Sequence, residues 1–114
     1  MTMIYKILPE SEWQAAQAAG EFKGSGIDIA DSYIHFSTAA QMVETAAKHF
    51  TRRANLLLIA VNDAVLGDAL KYEVSRGDAL FPHLYRPLQV SETVWAKPLL
   101  LDASGVHIFP EDAK

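Results

Sequence analysis

At 114 residues, 50% apolar and 21% charged, the chain has the composition of one globular domain with a single modest core. Its formal charge of −4, with Arg52-Arg53 the one adjacent basic pair, argues against non-specific nucleic-acid binding, which needs clustered Lys and Arg. The absence of cysteine excludes a disulfide framework and a thiolate metal site. With no signal-like apolar run at the start and no segment of membrane-spanning length, the expectation is a cytoplasmic protein with no membrane partner.

Met3 to Leu8 reads as a first strand, with Ile4, Lys6 and Leu8 on one face, Met3, Tyr5 and Ile7 on the other, and Pro9 ending it. Ser11-Glu12-Trp13-Gln14 has capping-box spacing, so a helix is expected there, with Trp13, Ala16 and Gln17 on one stripe and Gly20 as its closing residue. Lys23-Gly24-Ser25-Gly26 is expected as a flexible loop. Next comes Asp31-Ser32-Tyr33-Ile34-His35-Phe36-Ser37, whose alternation places Tyr33, His35 and Ser37 on one side and turns Ile34 and Phe36 towards a core. Thr38 and Gln41 repeat the capping-box spacing and open a second helix running to about Phe50.

Strands dominate the rest. Asn55 to Val61 is a continuous apolar run of strand length, expected to be central and buried on both faces. Asn62-Asp63 marks a turn, Leu70 to Val74 alternates, and Arg76-Gly77-Asp78 is another turn. The two prolines of Phe81 to Leu88 suit an edge or a rigid loop better than a central strand. Val90 to Leu101, interrupted by Pro98, and Gly105 to Pro110 supply the last extended segments. The fold class is therefore α+β: a single compact domain with two N-terminal helices against a mostly antiparallel sheet.

Histidine is the chemically informative residue. His35, at a strand-to-helix junction beside the N–H groups of a helix start, is either a ligand contact for an anion or a structural donor to a nearby carbonyl. His83, in Phe81-Pro82-His83-Leu84-Tyr85, is either one wall of a cleft or a surface loop residue. His49 complements a helix C-terminus, and His107 is incidental. Glu73 either faces a cleft, where its carboxylate would orient a ribose hydroxyl or stabilise a developing cation, or is a solvated strand-edge residue. Gln41 is accounted for by the capping box alone. No H-E-x-x-H, no G-x-S-x-G elbow and no phosphate-binding glycine loop occurs, so no metal site is expected.

These segments carry a resemblance. Ile4-Tyr5-Lys6-Ile7, Glu12-Trp13, Gly20, the run from Asp31 to Gln41, Thr45-Ala46, the apolar strand ending at Val61, Tyr72-Glu73 and Phe81 to Tyr85 together look like the DUF952 family. The likeness covers nearly the whole chain, as one DUF952-like domain over 1–114. That family is grouped with the ADP-ribosyltransferase-like fold, which includes RNA 2′-phosphotransferases that use NAD. The resemblance implies a cleft around His35, Ser37, Thr38, His83 and Tyr85 for a nucleotide or ribose-phosphate, with NAD as the implied cofactor. His35 would bind a ribose hydroxyl or phosphate, Tyr85 would stack on a ring, and Glu73 would stabilise positive charge. Gln41 belongs to the same ligand-binding set, and His35 and Glu73 are the catalytic candidates. Lys6 departs from the pattern, standing where the fold often has histidine. The expected function is a non-catalytic binding module; the alternative is an NAD-dependent ADP-ribosyl or 2′-phosphate transferase.

Overall fold

The computed structural model describes residues 2–113. Strand β1 (Met3–Pro9) passes directly into helix α1 (Glu10–Ala19). There follow β2 (Glu21–Phe22), α2 (Gly26–Asp31), β3 (Ile34–His35), β4 (Ser37–Thr38), α3 (Ala39–His49) and β5 (Leu56–Asn62). The chain ends in β6 (Leu70–Val74), β7 (Leu80–Leu84), β8 (Leu88–Gln89), β9 (Thr93–Leu101) and β10 (His107–Ile108). Every strand pair is antiparallel. No helix among the described residues is long and apolar enough to cross a membrane.

The main sheet has the order β10-β9-β5-β1-β4, with β5 at its centre as its unbroken apolar run requires. Alternation along β5 divides the interior into two cores. Ile59 and Val61 join Ile4, Leu8, Phe36 and the α1 residues Trp13 and Ala16 on one face. Leu56, Leu58 and Ala60 join Tyr5, Ile7, Leu99 and the α3 residues Met42 and Ala46 on the other. β1 pairs with β5 along its whole length, from Met3 opposite Asn62 to Pro9 opposite Leu56.

The architecture is α+β, but its helices and one strand differ from the sequence expectation. Helix α1 starts at Glu10, with Pro9 as its flanking residue, and does not use a box at Ser11. Because β1 runs straight into the helix, Ser11 already lies inside the first turn, and the Gln14 amide donates to Glu10 at 3.3 Å. The segment expected as a loop opens onto a third helix, α2, whose Asp28 carboxylate accepts the backbone N–H of Ser25 at 2.8 Å. By contrast, α3 begins where the spacing places it, with the Thr38 N–H donating to the Gln41 side chain at 3.0 Å. Finally, β7 is the middle strand of a second sheet, β3-β7-β6, despite Pro82. The Pro82 carbonyl accepts from the Phe36 N–H at 2.9 Å, so the proline nitrogen points to that same side, just past the end of β3. The missing donor therefore costs the β6 ladder nothing.

The feature that makes a site is the parting of β3 from β4. They are separated by the single residue Phe36, yet β3 pairs with β7 and β4 pairs with β1. β4 covers only Ile4 and Tyr5 of β1, which leaves the β1 edge from Lys6 to Pro9 without a strand beside it. A cleft opens along that edge, between the two sheets.

Candidate functional site

The cleft has a volume of about 410 Å³. β1 lines it with Tyr5, Lys6, Ile7 and Pro9, the parted strands with His35, Phe36 and Ser37, and β7 with Phe81 and His83. Thr45, His49 and Phe50 come from α3 and its end, Arg53 from the loop beyond, and Ile27 from α2.

Asp28 organises one wall. It is 2% exposed, and its carboxylate accepts from the His35 Nδ1 at 2.6 Å, the His35 backbone N–H at 3.0 Å and the Lys6 ammonium at 3.0 Å. Burial raises the carboxyl pKa, but the His35 ring, the Lys6 charge and two backbone N–H groups outweigh it and hold the group at about 2. Lys6 also donates to the His35 carbonyl at 2.9 Å. Burial pulls its pKa down, against the opposing pull of Asp28. Lys6 is thus the buried counter-charge of Asp28. The other ring nitrogen of His35, Nε2, meets the Asp31 carboxylate at 3.0 Å.

A second carboxylate–histidine pair faces the first across the register position that joins His35 to His83. The buried His83 ring lies with Nδ1 2.8 Å from Glu73, which also accepts from the Tyr85 hydroxyl at 2.6 Å. Those hydrogen bonds, Tyr85 first, hold the Glu73 carboxyl below its ordinary range, and the same contact pushes the Tyr85 hydroxyl up to about 12. An ionised carboxylate only accepts, so it fixes the proton of His83 on Nδ1 and leaves Nε2 as an acceptor. The two imidazole centroids are 5.5 Å apart. Tyr33 packs over both rings, 4.1 Å from His83 in a stacked arrangement and 4.5 Å from His35.

Of the residues singled out in the sequence, His35, Ser37 and His83 meet in the cleft. Ser37 is buried and shares a 3.1 Å hydrogen bond with Thr45. Glu73 and Tyr85 stand behind His83 and do not line the cleft. Thr38 and Gln41 are spent on the start of α3, and the Gln41 amide further ties that helix to β7 through the Leu80 carbonyl at 2.7 Å. Tyr33 lies on the same side as His35, its ring 4.5 Å away, but does not line the cleft, and the break at Phe36 carries Ser37 over to the other sheet. Tyr33 is a lid on the rings. Sequence reasoning missed Asp28, Arg53 and Phe50; the S-x-x-D spacing of Ser25 and Asp28 was the available signal for the first. Among the described residues no cluster of three His, Asp or Glu side chains is arranged to hold a metal ion.

A family model described as "Protein of unknown function (DUF952)" matches residues 7–96. The X-ray crystal structure of protein CC0527 from Caulobacter crescentus, a structural-genomics target, is 56% identical, covers 94% of each chain and superposes with a TM-score of 0.91. The solution NMR structure of CC0527 gives 57% identity, 93% and 91% coverage of the two chains and a TM-score of 0.84. No curated protein matches the chain.

Proposed function

The chain belongs to the DUF952 family of proteins of unknown function, and from that premise we propose that its cleft binds a nucleotide or ribose-phosphate. The observation that carries this reading is the pair of carboxylate-oriented histidines, His35 and His83, 5.5 Å apart in one 410 Å³ cleft. An imidazole whose tautomer and tilt are fixed from behind, as Glu73 fixes His83, is suited to hydrogen-bonding a sugar hydroxyl or phosphate oxygen, because little ordering remains to be done when the ligand arrives. His35, whose two ring nitrogens both meet carboxylates, offers its Nε2 where the ligand displaces the exposed Asp31. Ser37 adds a hydroxyl within the same cleft. NAD is one such ligand, and an ADP-ribosyltransferase-like ancestry of the fold would be consistent with it.

Binding is favoured over transfer by the position of Glu73. A transferase would need that carboxylate at the reacting carbon, whereas here it is engaged by His83 and Tyr85 outside the cleft lining. A backbone-amide NMR titration with NAD, ADP-ribose and a 2′-phosphorylated oligonucleotide tests the reading. Shifts gathered at 34–38 and 81–84 are expected; none at millimolar ligand would reject nucleotide recognition at this site.

A further inference from the structure

One end of the cleft has a character that the histidines do not explain. Arg53 lines it, is exposed, and holds its guanidinium over the Phe50 ring, 5.4 Å from the ring centre. No carboxylate among the described residues makes an ion pair with it, whereas Lys6, Lys23, Lys48, Arg86 and Lys97 all have acidic partners. Its backbone is held on both sides: the Arg53 N–H donates to the Phe50 carbonyl at 2.9 Å, and the His107 Nε2 meets the Arg53 carbonyl at 2.9 Å. The C-terminal carbonyls of α3, which would repel an anion, are partly occupied by the Phe50 N–H and the Thr51 hydroxyl.

Within the lining, the charge of Lys6 is already met by Asp28, whereas Arg53 is a cation whose charge no ion pair among the described residues offsets.

We infer that Arg53, beside Phe50, is the phosphate subsite of this cleft, and that the ligand lies along the β1 edge with its phosphate there and its hydroxyls at His83 and, in place of Asp31, at the His35 Nε2. The inference rests on the ribose-phosphate reading above and adds an orientation and a specificity to it. Lys6 reaches the His35 carbonyl at one end of the edge, and Pro9, paired with Leu56 close to Arg53 in the chain, marks the other. Three residues of extended chain separate them, about 10 Å. A sugar monophosphate or nucleotide can bridge that distance with an anionic group at one pole and hydroxyls at the other. Guanidinium suits the task because its planar fork meets two phosphate oxygens at once and its flat face packs on an aromatic ring.

The test compares D-ribose, ribose 5-phosphate and ADP-ribose as ligands of the wild-type protein and of Arg53→Met, by amide NMR titration. Arg53 is exposed, so the variant is expected to fold, which its spectrum reports directly. Ribose 5-phosphate should bind the wild type at least about tenfold more tightly than ribose, as one charge-assisted contact supplies. Arg53→Met should erase that advantage and leave ribose affinity unchanged. Equal affinities in the wild type, or an advantage that survives in Arg53→Met, would overturn the subsite while ADP-ribose shifts at His35 and His83 kept the cleft reading standing. Silence from all three ligands would bring down both.

Discussion

Asp28 is the residue on which the site's geometry most depends, and its charge sets a measurable pH dependence. Its folded pKa of about 2 lies below the ordinary value of 3.8. A depressed carboxyl pKa contributes stability that is complete above the unfolded value and disappears as the pH falls through the folded one. Stability on the order of 2 kcal/mol should therefore be lost between about pH 4 and pH 2, from the linkage of about 1.4 kcal/mol per pKa unit. Urea unfolding across that range should show the loss in the wild type and a shallower slope in Asp28→Asn. That variant should also be less stable at neutral pH, by roughly 3–5 kcal/mol, since it strands the buried Lys6 ammonium without its counter-charge. A fall of less than 1 kcal/mol would mean that Lys6 finds water instead.

Glu73 makes the complementary prediction about binding. It does not line the cleft, yet Glu73→Gln removes the group that fixes the His83 proton. ADP-ribose affinity should drop by roughly threefold to tenfold, the worth of one ordinary hydrogen bond. Tyr85→Phe, which leaves the Glu73–His83 contact in place, should change it much less. If both variants behave alike, or neither has an effect, the orientation of His83 is not what a ligand reads.

The elements around the site differ in how openly the sequence declares them. Helix α3 was legible because Thr38 and Gln41 have capping-box spacing; Thr38→Ala should cost about 1 kcal/mol in thermal or urea unfolding. Helix α2 was not. It spans six residues, its S-x-x-D cap lies between Gly24 and Gly26, and glycine on both sides reads as a loop. Gly24 has its own purpose there: its φ of +118° favours glycine, and a Cβ at that position would lie 2.7 Å from the Asp28 Cβ. Gly24→Ala should therefore destabilise more than Gly20→Ala, where φ is +85° but nothing lies within 4 Å. Equal costs in denaturant would show that backbone strain, and not the approach to Asp28, governs both. Pro82 misled for the opposite reason. A proline rule applied to the strand alone cannot see that β3 stops one residue before the proline's empty side.

At the scale of the whole molecule, the sequence declared a central β5 and an α+β chain but concealed where the cleft lies. The run from Tyr33 to Thr38 alternates so evenly that it reads as one strand, and only pairing partners distant in sequence, β7 and β1, reveal that it belongs to two sheets. His35 and His83 were identified separately as candidates; their adjacency is a tertiary fact. The role of Lys6 comes from Asp28, itself placed by the helix that the glycines hid, and no local spacing links the two.

The parting at Phe36 has a thermodynamic consequence. A ligand seated between the sheets touches residues from β1, β3 and β7 at once, a grouping that no unfolded chain presents. Occupancy and folding are then linked by mass action, and a ligand at a hundred times its dissociation constant should stabilise the native state by about 2.7 kcal/mol. For a chain of this size, that is an upward shift in melting temperature of roughly 10 °C or more. A thermal scan of unlabelled protein against a panel of phosphorylated sugars and nucleotides would thus report the cognate compound without any assay for its chemistry.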